Sequence, residues 1–171
     1  EMTCPGQVKI TVIRETRSVA YAKELINTPL VMEYGETFEQ SINRSDYRIL
    51  VVDDVMSNVL LLKILLTNEK FQVLTANNGT SCLQVCREQH PDLVLLDVMM
   101  PDISGFDTAV ELKKNPETAD IPIIFLTALN SPSDLVHGFQ VGANDFLSKP
   151  FNKEELIMRV MHQISLVAAK R

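Results

Sequence analysis

From residue 47 onward, the apolar positions of this 171-residue chain follow two alternating patterns. Short unbroken apolar runs, Ile49-Leu50-Val51-Val52, Leu93-Val94-Leu95-Leu96 and a third over 121–126, have the length and continuity of strands buried on both faces. Weaker strands are predicted over 71–75 and 145–148. Between them, apolar residues recur three or four apart, which predicts helices over about 57–67, 80–88 and 106–114, a fourth from Ser131-Pro132 to Gly142, and a last from about 153 to the C-terminus. Asn77-Asn78-Gly79, His90-Pro91 and Asn115-Pro116 supply turns and stops between elements. Strand and helix in strict alternation predict an α/β domain with a parallel sheet.

The first 46 residues are patterned more weakly. Val8, Ile10 and Val12 alternate with Lys9 and Thr11 as in a half-buried strand, and Ser18 is placed to cap a short helix that Pro29 ends. Leu30-Val31-Met32 reads as another short strand, and 36–42 as a helical turn or two before the polar linker Asn43-Arg44-Ser45-Asp46. Residues 1–46 are therefore read as a small N-terminal extension of unassigned role, and 47–171 as the main domain with a long C-terminal helix.

Composition narrows the class of protein. A hydrophobic content of 46% supplies a core, and a net charge of −6 argues against a nucleic-acid surface. No apolar run reaches the roughly 18 residues of a membrane span. Met2, after Glu1, is expected to be a native start, and no basic-then-apolar secretory leader follows it. Cys4, Cys82 and Cys86 form no metal framework, and their odd number points to reduced thiols in a cytoplasmic setting. His90, His137 and His162 are scattered away from any catalytic group.

The candidate chemistry lies at the strand ends. Asp53-Asp54 follows the first strand, Asp97 ends the third, Thr127 the fourth, and Lys149 stands just beyond the fifth. Parallel strands point the same way, so these residues are expected at one edge of the sheet. Three carboxylates against one ammonium leave excess negative charge, which a hard divalent cation would resolve. Mg²⁺ fits best, because it binds through one or two carboxylates and keeps room for water and phosphate oxygens.

Four motifs in this order, Val-Val-Asp53-Asp54, Leu-Leu-Asp97-Val-Met-Met-Pro101-Asp-Ile-Ser-Gly105, Phe-Leu-Thr127-Ala128 and Lys149-Pro150-Phe151, resemble those of the receiver domains of two-component response regulators. The resemblance covers about 120 residues, 47–168. It implies a flavodoxin-like, doubly wound, five-stranded parallel sheet of order 2-1-3-4-5. It further implies that Asp97 accepts a phosphoryl group from a histidine kinase or phosphotransfer protein. Asp54, Asp97 and the backbone carbonyl of Met99 would hold Mg²⁺ directly, with Asp53 acting through metal-bound water. Lys149 would pair with Asp97 and a phosphoryl oxygen, the Thr127 hydroxyl with another, and the Lys149-Pro150 bond would be cis. The moving surface would be the fourth helix, fifth strand and fifth helix. Phe146 stands where the family often has Tyr, which removes a hydroxyl from that switch. Met99 and Leu129 are apolar and cannot orient an attacking water, so self-dephosphorylation is expected to be slow. The exit 164–171 resembles receivers that precede a histidine-kinase module, implying an output module beyond this chain, and the long last helix allows a homodimer. The competing reading is a Mg²⁺-dependent phosphohydrolase with an Asp nucleophile, which would want a second acid where Met99 stands.

Overall fold

The computed structural model describes residues 37–128 and 132–170. The strands and helix expected over 8–32, Cys4 and Leu129 lie outside the described residues. The chain divides into two compact units, 1–41 and 42–171. Of the first, the described part is a single helical turn, Phe38–Ser41, whose start is closed by reciprocal bonds between Thr37 and Gln40.

The second unit opens with a 3₁₀ turn at Arg44–Asp46, where a plain linker is expected from the sequence. Asn43 makes the difference: its carboxamide oxygen accepts from the Ser45 amide and hydroxyl and caps the turn. Five strands follow, β1 Arg48–Val52, β2 Gln72–Ala76, β3 Leu93–Asp97, β4 Ile123–Thr127 and β5 Asp145–Ser148, all parallel and ordered β2-β1-β3-β4-β5. The helices are α1 Met56–Asn68, α2 Gly79–Gln89, α3 Gly105–Lys114, α4 Pro132–Gln140 and α5 Lys153–Ala169. Boundaries expected from the sequence shift by a residue or two, mostly at caps. Asn78 and Asn152 accept hydrogen bonds from the Ser81 and Glu155 amides and start their helices one position earlier or in place. His90 ends α2 in the left-handed region, at φ 45°.

Strand periodicity sorts the core into two halves. Ile49, Val51, Leu93, Leu95, Ile124 and Leu126 face one way and pack with Leu62 and Leu66 of α1 and Leu156, Val160 and Ile164 of α5. Leu50, Val52, Val94, Leu96, Ile123 and Phe125 face the other and meet Cys82 and Cys86 of α2 and Ala109 and Leu112 of α3. The two cysteines are buried free thiols. On α5 the expected apolar stripe is present, and Val167 and Ala168 also pack on the core, so the helix stays docked to its end. Arg159 fastens the same helix to the sheet through Nη1, which donates to both carboxylate oxygens of Asp145, at 2.9 and 3.0 Å. No helix of the described residues is long and apolar enough to cross a membrane.

An aromatic cluster fills the ground between α3, α4 and β5. Phe125 lies 5.1 Å from the Phe106 ring and 5.6 Å from Phe146, and Phe139 stands edge-on to Phe146 at 4.9 Å. Gly138 makes room for it, because a Cβ there would come within 2.2 Å of the Phe146 ring tip.

Leu95 is fully buried in the central strand, so Leu95→Ala is expected to cost about 2–5 kcal/mol in urea unfolding. Met158→Ala, on the exposed side of α5, is expected to change stability by less than about 0.5 kcal/mol.

Candidate functional site

Parallel register delivers the acids to one edge. Val52 pairs with Leu96 in the β1–β3 ladder, so the residues that follow, Asp53 and Asp97, emerge side by side. One strand over, Asp97 pairs with Leu126 and Thr127 with Ser148, which brings Thr127 and Lys149 to the same edge. The Lys149 amide donates to the Thr127 carbonyl at 2.9 Å, extending the pairing past the end of β5 into the cis Lys149-Pro150 bond.

Burial at this edge is uneven. Asp53 and Asp97 are 0% and 3% exposed, whereas Asp54 is exposed. Two buried carboxylates so close need compensation. Lys149 supplies it, its ammonium lying 3.2 Å from Asp53 Oδ2 and 3.2 Å from Asp97 Oδ1. Asp53 has further support: Oδ1 accepts from the Val55 amide at 2.9 Å and Oδ2 from Asn58 Nδ2 at 3.1 Å. Asp97 Oδ1 also accepts from the Met99 amide at 3.3 Å. Its Oδ2 accepts no hydrogen bond among the described residues.

These contacts split the titration behaviour. Burial, and then the charge of Asp53, lift the Asp97 carboxyl to about 6, against the opposing pull of Lys149 and the Met99 amide. Burial works against the Lys149 ammonium, but the charges of Asp97 and Asp53 and their hydrogen bonds outweigh it and raise its pKa.

One oxygen from each of Asp53, Asp54 and Asp97 can be chosen so that all three lie within 4.8 Å of one another. An all-carboxylate set with one exposed member suits a hard cation that keeps part of its water shell. The donor set therefore fits Mg²⁺, and Asp53, Asp54 and Asp97 are the side chains able to hold it. Met99, two residues after Asp97, is 67% exposed. Thr127 is buried at the end of β4.

Three contacts at the site were not legible in the sequence. Lys149 is shared with Asp53 as well as paired with Asp97. Asn58, on the first turns of α1, donates to Asp53 Oδ2, the oxygen that Lys149 also bonds, and no motif singles it out. Gly105 starts α3 against the end of β3: its amide donates to the Val98 carbonyl at 2.8 Å, and a Cβ there would come 2.2 Å from the Asp97 carbonyl oxygen. Its place in the Ser-Gly pair is visible in sequence, but the collision it avoids is not.

Comparison with known proteins is consistent across sequence and structure. The family model for the response regulator receiver domain matches residues 49–161. The response regulator PleD of Caulobacter vibrioides is 45% identical over 113 residues, 66% of this chain and 25% of that protein. The protein PilH of Pseudomonas aeruginosa is 38% identical over 113 residues, 66% of this chain and 93% of its own. The chain thus spans about a quarter of the first relative and nearly all of the second. Among solved structures, the signal receiver domain of a signal transduction histidine kinase from Syntrophus aciditrophicus is similar with a TM-score of 0.65 and 33% identity, covering 70% of this chain and 90% of that one. The chemotaxis protein CheY4 of Vibrio cholerae gives 0.65 and 30%, covering 68% and 97%.

The raised Asp97 carboxyl gives a signed test. Its folded pKa of about 6 exceeds the ordinary value of about 3.9, so its contribution to stability falls as pH rises from about 4 to 6. In metal-free buffer, Asp97→Asn is expected to be more stable than the parent at pH 7.5 by on the order of 1–3 kcal/mol. The gain should shrink toward zero at pH 4, as read by urea unfolding in EDTA.

Proposed function

The chain belongs to the response regulator receiver family, the phospho-accepting modules of two-component signalling, and from that premise we propose that Asp97 is its phosphoryl acceptor. Receivers work with histidine kinases or phosphotransfer proteins. The phosphohydrolase reading finds no support among the relatives, and the position two after Asp97 is Met99. The observation that carries the proposal is Asp97 Oδ2, which accepts no hydrogen bond from any described residue. Asp97 Oδ1 takes the bonds from Lys149 and Met99, which leaves Oδ2 for attack.

In the reaction, Oδ2 forms the new O–P bond as the N–P bond of a phosphohistidine breaks, and the electron pair returns to the imidazole nitrogen. Lys149 follows the charge, turning from Asp97 toward a phosphoryl oxygen, while Asp53 keeps the ammonium anchored from its other side. The Thr127 hydroxyl, at the same edge, accepts the role of partner to another phosphoryl oxygen. Mg²⁺ held by Asp54, Asp97 and the Met99 carbonyl, with Asp53 in support, would neutralise charge on the transferring group. Asp53 already carries three hydrogen bonds, which suits an indirect part; Asp54 carries none among the described residues. The switch then passes to α4, β5 and α5, where the Phe146 ring packs without a hydroxyl to hold. Apolar Met99 beside the acceptor favours a long-lived phosphoryl group.

The partner's docking face in this reading is α1. Met56, Leu60 and Ile64 recur every fourth residue and are 51–59% exposed, with Leu61 beside them at 45%. The stripe begins two residues after Asp54, so a helix laid on it would carry its histidine to the acid edge. A homodimer through α5 belongs to the same reading, supported by Met158 and Leu166, exposed on that helix; a cytoplasmic setting and an output module beyond α5 follow from the family reading alone.

Incubation with Mg²⁺ and acetyl phosphate is expected to add one phosphoryl group by mass, lost in Asp97→Asn. A persistent adduct in that variant would move the acceptor elsewhere. Leu60→Glu with Ile64→Glu is expected to slow transfer from a phosphorylated partner at least tenfold while leaving acetyl-phosphate labelling within twofold. Equal slowing of both would remove α1 from the docking face.

A further inference from the structure

The loop from Val98 to Ser104 carries Met99 past the acid edge, and its far end is tied to a different helix. Asp102 reaches across to the start of α2: Oδ1 accepts from the Gly79 amide at 3.0 Å, and Oδ2 from the Thr80 amide and the Thr80 hydroxyl, each at 2.9 Å. A negative group at a helix start is favoured by the exposed amides and the helix dipole. The Thr80 amide, with those of Gly79 and Ile103 and the Thr80 hydroxyl, holds this carboxyl well below the usual carboxylate range. Ile103 adds an apolar contact at the same place, close enough that a Cβ on Gly79 would come 2.3 Å from its side chain. At the near end, the Met99 amide donates to Asp97 and the Gly105 amide to Val98. Met100, between the two ends, is partly buried against the core. The peptide of Met99 is thus strung between two fixed points.

The other side of the tie also leads to the acids. Asn78 caps α2 two residues past the end of β2, and the last residue of β2, Ala76, accepts a hydrogen bond from the Asp53 amide at 3.3 Å. Asp102 therefore joins the segment that follows Asp97 to the segment that flanks Asp53. We propose that Asp102 is a positioning residue for the cation site: by clamping the β3–α3 loop to the start of α2, it holds the Met99 carbonyl and Asp97 in the arrangement that binds Mg²⁺. This rests on the reading of Asp53, Asp54, Asp97 and Met99 as the cation site. Ser104, in the same loop, is the control, because its hydroxyl caps α3 through the Asp107 amide without reaching α2.

The test is Mg²⁺ titration of the full 171-residue chain, followed by NMR of the Asp97–Gly105 amides. Asp102→Asn is expected to weaken Mg²⁺ binding about tenfold, in the range seen when supports of a metal's ligands are lost. The weakening should persist in 1 M salt, where a loss of distant charge alone would be screened out. Thr80→Val, which removes one of the three donors on α2, should weaken binding two- to threefold and serves if Asp102→Asn does not fold. Ser104→Ala should lower the melting temperature yet leave Mg²⁺ affinity within twofold. Unchanged affinity in Asp102→Asn, or in Thr80→Val where only that variant folds, overturns the proposal, as does a Ser104→Ala loss as large as that of Asp102→Asn. If the parent chain binds no Mg²⁺, or Asp97→Asn leaves binding unaltered, it is the cation-site reading itself that fails.

Discussion

Two buried carboxylates depend on one ammonium. Asp53 and Asp97 have almost no contact with water, and Lys149 lies 3.2 Å from each. Removing the lysine would leave two like charges buried side by side, an arrangement whose cost exceeds what a surface ion pair is worth. Much of the fold serves this triangle. The β1–β3 ladder sets the two acids side by side, the β4–β5 ladder brings the lysine to their edge, and the Lys149 amide continues that ladder onto Thr127. Topology does what no local segment could, since the lysine follows Asp53 by 96 residues.

The remaining imbalance makes the site responsive. Burial of its carboxyl, with the charge of Asp53 added, outweighs what one ammonium and the Met99 amide offer, so Asp97 holds its proton to about 6. Anything bringing positive charge to this edge lowers that cost, and adding a phosphoryl group changes the balance in the opposite direction. A structure that is locally in electrostatic debt reacts strongly to small changes of charge.

The strands and their terminal acids were readable because Leu93–Asp97 and its neighbours are unbroken apolar runs, and such runs have few alternatives once turns bracket them. The strand order was not in the pattern; it came with the family resemblance. Helix α1 was silent in one respect. It is apolar nearly all round, so periodicity could not say which of its leucines face the core, and Leu60 and Leu61 prove to face solvent while Leu62 and Leu66 are buried. The Gly105 contact, the second bond of Lys149 and the reach of Asp102 join residues that sequence does not place together. The capping residues Asn78, Ser104 and Asn152 lie between these cases, since their residue type is visible and their partners are local.

Phe146 rests in a notch that Gly138 leaves open on α4. Its lack of a hydroxyl leaves shape alone to set where the ring sits, with no polar anchor to pull it outward. The neighbouring helix thus acts as a mould for an element on the adjacent strand. Any larger residue at 138 would evict the ring, so the default setting of this surface is encoded one helix away from the side chain that displays it.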